Sequence, residues 1–354
     1  MSVHARRGGS VTEQGSVSGE QGRARSMGPS PGRLWAIVLA GGDGFRLRPL
    51  TRWVCGDERP KQYVPLLGSR SMLRQTLDRV ALAIPPERTV IVSQQRHADY
   101  MAAEFHRAPT PHVLVQPENR GTAAGVLFPA HWIHWHDPEA IVAVFPSDHF
   151  IPDGPAFMAH ARGVAAFVSR DPERVVLLGA RPTEPETDYG WIEPGATLGR
   201  IGAEPIFRGR RFLEKPSLDT ARAALSVGCL WNTFVFVATT ATLLAEGRRA
   251  LPELSDRLAR IAPYAGTERE GWAVREAYAL APTANFSRAI LQTSPARLAV
   301  SRLPCLTWSD WGTPGRVLRS LASAGISPPW LREVTRARAT GDAGAVFAET
   351  SLAH

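Results

Sequence analysis

Of the 41 basic residues in this 354-residue chain, only Lys61 and Lys215 are lysines. A lysine that resists replacement by arginine is one whose compact ammonium acts as a point charge in a tight phosphate site, where a planar guanidinium does not fit. Lys61 lies just downstream of a glycine-rich turn. Gly41, Gly42 and Gly44 follow the apolar run Trp35 to Ala40, and glycine lets the backbone turn sharply and bring bare N–H groups up to a ligand. Arg46 stands next as a cation at the rim. A strand emptying into such a loop predicts phosphate binding at the carboxyl end of a sheet. A second apolar run, Ala140 to Phe145, ends in Pro146-Ser147-Asp148-His149, which places the Asp148 carboxylate at the same crevice; His149 either touches substrate or orients the Asp. Two familiar loops are ruled out: no Gly-Lys-Ser/Thr ending is present, and Leu47 stands where a dinucleotide fingerprint has its third glycine.

The elements that must position these groups alternate. Trp35 to Ala40 has Ile and Val at its centre and reads as a strand buried on both faces. Ser71 to Ala83 has helical spacing with Ser71 as N-cap, and Pro85-Pro86 stops it. Thr89 to Val92, Val113 to Val115, Ala140 to Phe145 and Val175 to Gly179 read as further strands. Between and after them, Tyr100 to His106, a helix running to about Trp135, Phe157 to Ser169, Ala221 to Val227 and the region 239–280 read as helical. This order predicts an α/β fold with a Rossmann-like, doubly wound, mostly parallel sheet in one main domain over 34–320. A disordered basic tail is expected over 1–33, and a short C-terminal extension, partly helical or disordered, over 321–354.

The extended pattern around the glycine loop, Ala-Gly-Gly-Asp-Gly-Phe-Arg-Leu-Arg-Pro-Leu-Thr with Arg-Pro-Lys-Gln-Tyr-Val-Pro-Leu downstream, resembles the signature of sugar-1-phosphate nucleotidyltransferases, and its Pro-Lys-Gln form resembles the mannose-1-phosphate guanylyltransferase branch. That resemblance implies the nucleotide-diphospho-sugar transferase fold. It also implies transfer of a nucleotidyl group from an NTP, GTP in this branch, to a sugar 1-phosphate, mannose 1-phosphate, with Mg²⁺ as cofactor. Arg46, Lys61 and Lys215 would then be catalytic, with Gly41, Gly42 and Gly44 at the nucleotide. The loop Gln116-Pro-Glu-Asn-Arg-Gly-Thr122 resembles the segment over the nucleobase, giving Gln116, Glu118, Asn119, Gly121 and Thr122 as base-site candidates, although Asn119 or Thr122 also suits a plain helix cap. Asp148, and Asp310 in Trp308-Ser-Asp-Trp-Gly312, would hold the metal. Glu184-Pro-Glu-Thr-Asp-Tyr-Gly190 resembles a sugar-binding segment and yields Gly190, with Asp188 replacing a glycine. Phe212-Leu-Glu-Lys-Pro216 yields Glu214 for sugar hydroxyls and Lys215 for the sugar phosphate. Leu230-Trp-Asn-Thr-Phe234 yields Asn232, with Phe234 replacing a glycine. Ser287 and Gln292 stand where the pattern is acidic. A glucose-1-phosphate uridylyl- or thymidylyltransferase and a catalytically weakened NDP-sugar-binding regulator stay open beside the main reading.

The formal charge of +8 comes without a lysine-rich run or a basic patch interleaved with aromatics, so no nucleic-acid partner is expected. No stretch reaches the roughly 18 apolar residues of a membrane span, the nearest being Thr233 to Ala245. Cys55, Cys229 and Cys305 are too scattered for a disulfide framework or zinc site, and a cytoplasmic protein is expected, with homodimerisation left open. His131, His134 and His136 are read as an ordinary amphipathic surface rather than a metal site.

Overall fold

The computed structural model describes residues 33–105, 110–304 and 306–340. The tail expected over 1–33, apart from Arg33, lies outside the described residues, as do His106, Cys305 and the extension from 341 onward. Along the chain the strands are β1 (Leu34–Leu39), β2 (Thr89–Gln94), β3 (His112–Gln116), β4 (Ile141–Pro146), β5 (Val175–Ala180), β6 (Gly190–Ile201), β7 (Glu204–Glu214), β8 (Leu230–Thr239) and β9 (Leu298–Arg302). The helices are α1 (Arg48–Cys55), α2 (Met72–Val80), α3 (Ala98–Ala103), α4 (Gly121–His136), α5 (Gly154–Val168), α6 (Leu218–Ser226), α7 (Thr240–Ala250), α8 (Pro252–Ala259), α9 (Glu270–Ala279), α10 (Pro314–Ala324) and α11 (Pro329–Thr340).

The strands form one sheet in the order β3-β2-β1-β4-β8-β5-β9-β7-β6. β1 is parallel to both β2 and β4, and β2 to β3, while β7 and β8 run against the rest. The unbroken apolar character of β1 is explained by its place: Ala36 and Val38 face one helical layer with α2 and α5, Ile37 the opposite layer with α4, α7, α8 and α9, and all three are fully buried. Ser71 caps α2 as expected, its Oγ accepting from Arg74 N at 3.0 Å. The β6–β7 hairpin turns at Gly202, in the left-handed region at φ 56°.

One expectation is corrected in α4. This helix is apolar on every side because it is sandwiched between the sheet and α7 and α8, so His131 is buried rather than on an amphipathic surface. His134 meets Thr240 Oγ1 at 3.0 Å, and His136 stacks on Trp132 with ring centroids 4.0 Å apart.

A third apolar cluster lies beside the glycine loop. Leu47 and Leu50, from the turn into α1, join Phe150, Trp311, Val317, Leu321, Trp330 and Val334. The segment Arg52-Trp-Val-Cys-Gly-Asp-Glu58 is held by this cluster. Trp53, Val54 and Cys55 pack on this cluster, Gly56 ends α1 at φ 77°, and Glu58 turns back to pair with Arg48 at 3.3 Å and with Arg52.

Candidate active site

The glycine loop at the end of β1 is held from behind. Gln62 Nε2 donates to the carbonyls of Ala40 at 2.8 Å and Gly42 at 2.9 Å, and Gln94 Nε2 donates to that of Gly41. A trans peptide sets each C=O opposite the next N–H, so the N–H groups of Gly41, Gly42 and Asp43 face away from these amides. At Gly44, φ is 62° and an added Cβ would stand 3.1 Å from Lys61 N, so both conformation and space require glycine. Asp43 accepts from Arg96 at 2.6 Å.

Lys61 is only 4% exposed. Its Nζ meets Asp148 Oδ2 at 2.9 Å and donates to the carbonyls of Asp310 and of Trp311, the latter at 3.2 Å. Asp148 follows β4, and Asp310 is brought opposite it by a two-stranded bridge in which Phe150 N donates to Ser309 O at 2.9 Å. The two carboxylates, with Gly44, Arg46, Lys61 and His149, line one cavity of about 320 Å³. No group of three or more His, Cys, Asp or Glu that could hold a metal occurs among the described residues. His149 is largely enclosed, its imidazole pushed down to about 4 by desolvation, and its Nδ1 accepts from Trp308 Nε1 at 3.3 Å. It is therefore a neutral neighbour of Asp148.

A residue with no sequence signal organises this end of the cleft. Arg316, on α10 and 7% exposed, pairs with Glu186 at 2.7 Å, Asp188 at 3.1 Å and Asp310 at 3.2 Å. Tyr189 donates to Asp310 Oδ1 at 2.7 Å. Burial alone would raise the Asp310 carboxyl, yet the charges of Arg316 and Lys61 and the Tyr189 hydrogen bond hold it below the usual carboxylate range. Arg46, at the rim, donates to Asp188 Oδ2 at 2.5 Å.

On the other side of the loop a cavity of about 340 Å³ is lined by Gly41, Gly42, Gln116, Asn119, Gly121 and Thr122 together. Glu118 is absent from its lining and instead pairs with Arg120 at 2.9 Å, its side chain exposed. Gln116 is oriented by Tyr278, whose hydroxyl donates to its Oε1 at 3.0 Å. Asn119 Oδ1 accepts from Gly121 N at 2.9 Å, a turn contact at the start of α4 whose cap position is Arg120, while Thr122 Oγ1 accepts from Phe286 N at 2.9 Å. Gly121 sits at φ 79° where a Cβ would overlap the Ala284 carbonyl. Gln94, Thr283 and Asn285 also line the cavity; a glutamine on β2 and a turn after α9 carry no pattern linking them to this loop.

Gly190, Glu214 and Asn232 converge on a third spot. A Cβ on Gly190 would stand 3.1 Å from Glu214 Oε2 and 3.2 Å from Asn232 Cβ. Desolvation raises the Glu214 carboxyl, partly offset by Lys215, Arg288 and a hydrogen bond with Ser287. Gln292 Oε1 accepts from Glu214 N at 3.3 Å, so both positions where acidic residues were expected now brace Glu214. Lys215 is exposed and makes no ion pair within 4 Å among the described residues. Lys215, Phe234 and Trp311 are the non-glycine residues with positive φ among those described, at 47°, 58° and 48°. All three lie beside the cleft, where strain of this kind concentrates.

A glycine loop at the carboxyl end of a parallel strand, with a cavity on either side and a buried lysine held by one carboxylate and two backbone carbonyls, is the arrangement of an α/β fold suited to binding a nucleotide. More particularly, the chain belongs to the nucleotidyl transferase family, whose model matches residues 35–322. It is 32% identical over 284 residues to the xanthan biosynthesis protein XanB of Xanthomonas campestris pv. campestris strain B100, covering 78% of this chain and 57% of that one. To a mannose-1-phosphate guanylyltransferase of Escherichia coli K12 it is 30% identical over 229 residues, covering 63% and 46%. The chain thus spans about half the length of these curated relatives. Among solved structures, a protein of Thermus thermophilus described as a mannose-1-phosphate geranyltransferase superposes with a TM-score of 0.69 at 31% identity, covering 84% of this chain and 80% of that one.

Proposed function

We propose that this chain joins a sugar 1-phosphate, mannose 1-phosphate, to an NTP, GTP, giving an NDP-sugar and pyrophosphate. The observation that carries the reading is Lys61: a buried ammonium between Asp148 and the Asp310 segment, with the base cavity on one side and the Gly190–Glu214–Asn232 cluster on the other. Relatives named for this activity support the choice of mannose and guanine. An oxygen of the sugar phosphate attacks the α-phosphorus, a new P–O bond forms, and the bond from the α-phosphorus to the bridging oxygen breaks, sending the electron pair out with pyrophosphate. Such chemistry needs positioning and charge neutralisation more than covalent help.

The residues divide that work. Arg46 and the loop N–H groups hold the β- and γ-phosphates, Lys61 draws charge from the α-phosphate, and Lys215 holds the sugar phosphate in line. Glu214 and Asn232 take sugar hydroxyls, close against the bare backbone of Gly190. Gln116 and the start of α4 face the base. Asp148 and Asp310 suit Mg²⁺: they face one cavity, and no hydrogen bond reaches Asp148 Oδ1 among the described residues. Mg²⁺ commonly takes one or two protein carboxylates and fills its remaining positions with water and phosphate oxygens. When bound, it would supply Lewis-acid neutralisation of the phosphates. No helix among the described residues is long and apolar enough to cross a membrane. The compartment that goes with this reading is the cytoplasm, in keeping with the free thiols of Cys55 and Cys229.

The test is pyrophosphate release over a grid of the common NTPs against mannose, glucose and N-acetylglucosamine 1-phosphates. Turnover with GTP and mannose 1-phosphate is expected. Silence across the grid together with measurable NDP-sugar binding would replace the enzyme by a regulator.

A further inference from the structure

Where the resembled sugar segment has glycine, this chain has Asp188, and its carboxylate occupies the guanidinium assigned above to the leaving phosphates. Asp188 Oδ2 accepts from Arg46 Nη1 at 2.5 Å and from Arg316 Nη2 at 3.1 Å. Both Arg46 and Asp188 stay partly open to solvent, with side-chain exposures of 50% and 37%. An ion pair so placed adds little to stability and exchanges readily. A triphosphate brings several negative charges to the same guanidinium, so a single carboxylate loses the competition. The displaced Asp188 is not stranded, because buried Arg316 remains its partner.

We propose that Asp188 is a specificity residue for the pyrophosphoryl half of the nucleotide: an internal anion that holds Arg46 in the empty cleft, gives it up to the β- and γ-phosphates, and takes it back as pyrophosphate leaves. The inference rests on the nucleotidyltransferase reading. Its ligand selectivity is the distinguishing feature. An NTP and pyrophosphate both place phosphate on Arg46, whereas an NDP-sugar carries none there. Asp188 therefore weakens the first two and leaves the third alone, favouring pyrophosphate release over its recapture. Gly312 helps to fix the geometry, since a Cβ there would stand 3.0 Å from Arg46 Nη2 and 2.8 Å from Arg316 Nη1.

Asp188→Asn keeps the shape and removes the charge; Asp188→Gly restores the residue of the family pattern. Calorimetric titration of the full-length proteins with GTP in the presence of Mg²⁺, with pyrophosphate and with GDP-mannose reads the three affinities. About fivefold tighter GTP and pyrophosphate binding is expected in both variants, the size of a partly exposed charge pair, with GDP-mannose unchanged. The gain should shrink as salt is raised. Equal or weaker GTP and pyrophosphate binding in folded variants, or a parallel change for GDP-mannose, overturns the proposal. A wild-type protein that binds none of the three refutes the reading of the cleft itself.

Discussion

At the scale of single residues, Lys61 is the sharpest case. Its ammonium touches one carboxylate and two carbonyls inside a nearly closed space, so Lys61→Ala should lower kcat/KM by on the order of 10²-fold or more, as loss of a preorganised charge partner does. Lys61→Arg should fail to restore it, because the longer planar fork does not fit the buried space in which the Asp148 carboxylate and the carbonyls of Asp310 and Trp311 enclose the compact ammonium; steady-state kinetics of both variants checks this. Glu214 gives a pH prediction. Desolvation holds its carboxyl above the ordinary value, and in the proposed role the anion accepts from sugar hydroxyls at both oxygens, whereas protonation turns one of them into a donor and weakens the other as an acceptor. Activity should therefore fall on the acid side at a higher pH than an unperturbed glutamate would give, and Glu214→Gln should abolish that limb of the kcat/KM profile.

At the scale of elements, the start of α4 and the turn that follows α9 are locked together: Ala123 N donates to Ala284 O at 3.1 Å, and Ala284 N to Arg120 O at 3.1 Å. Gly121→Ala would drive a methyl into that carbonyl from a left-handed backbone. Nucleotide affinity should drop at least tenfold, while the sugar cluster, on other elements, is left intact; titration with nucleotide and with sugar phosphate separates the two. The helices α10 and α11 likewise brace the glycine loop. Leu321, fully buried beside Leu47 and Leu50, should cost about 2–4 kcal/mol as Leu321→Ala in denaturant unfolding. The sequence made the parallel half of the sheet plain, because β1, β2, β4 and β5 are buried on both faces and read as unbroken apolar runs. It did not reveal the β6–β7 hairpin, whose half-exposed residues include Arg, Pro and Gly and whose register shifts repeatedly. Arg316 was hidden for a different reason: among 39 arginines, a buried one on α10 looks like any solvated one. That Gly190, Glu214 and Asn232 lie together was anticipated from motifs, while Gln94 and Asn285 join the cavity lining, and Tyr278 reaches Gln116, only through tertiary packing.

At the scale of the whole molecule, two imidazoles away from the cleft tie stability to acid. His131 and His160 are both pushed by burial from 6.5 down to about 4. Between those values the unfolded chain binds protons that the folded one refuses, so stability should fall as pH drops through 6.5 toward 4. Thermal unfolding at pH 7.5 and pH 5 should show the lower midpoint at pH 5, and His160→Gln should narrow the difference, His131 still contributing the rest. The scarcity of lysine, finally, makes the protein an unusual substrate for amine chemistry. Apart from the chain's own amino terminus, its side-chain amines are one enclosed in the core of the cleft, Lys61, and one open to solvent at the sugar side, Lys215. An acylating or reductively methylating reagent should therefore attach a single side-chain probe at the mouth of the proposed sugar site, without any engineering. Its rate of attachment would report directly on whether that mouth is covered.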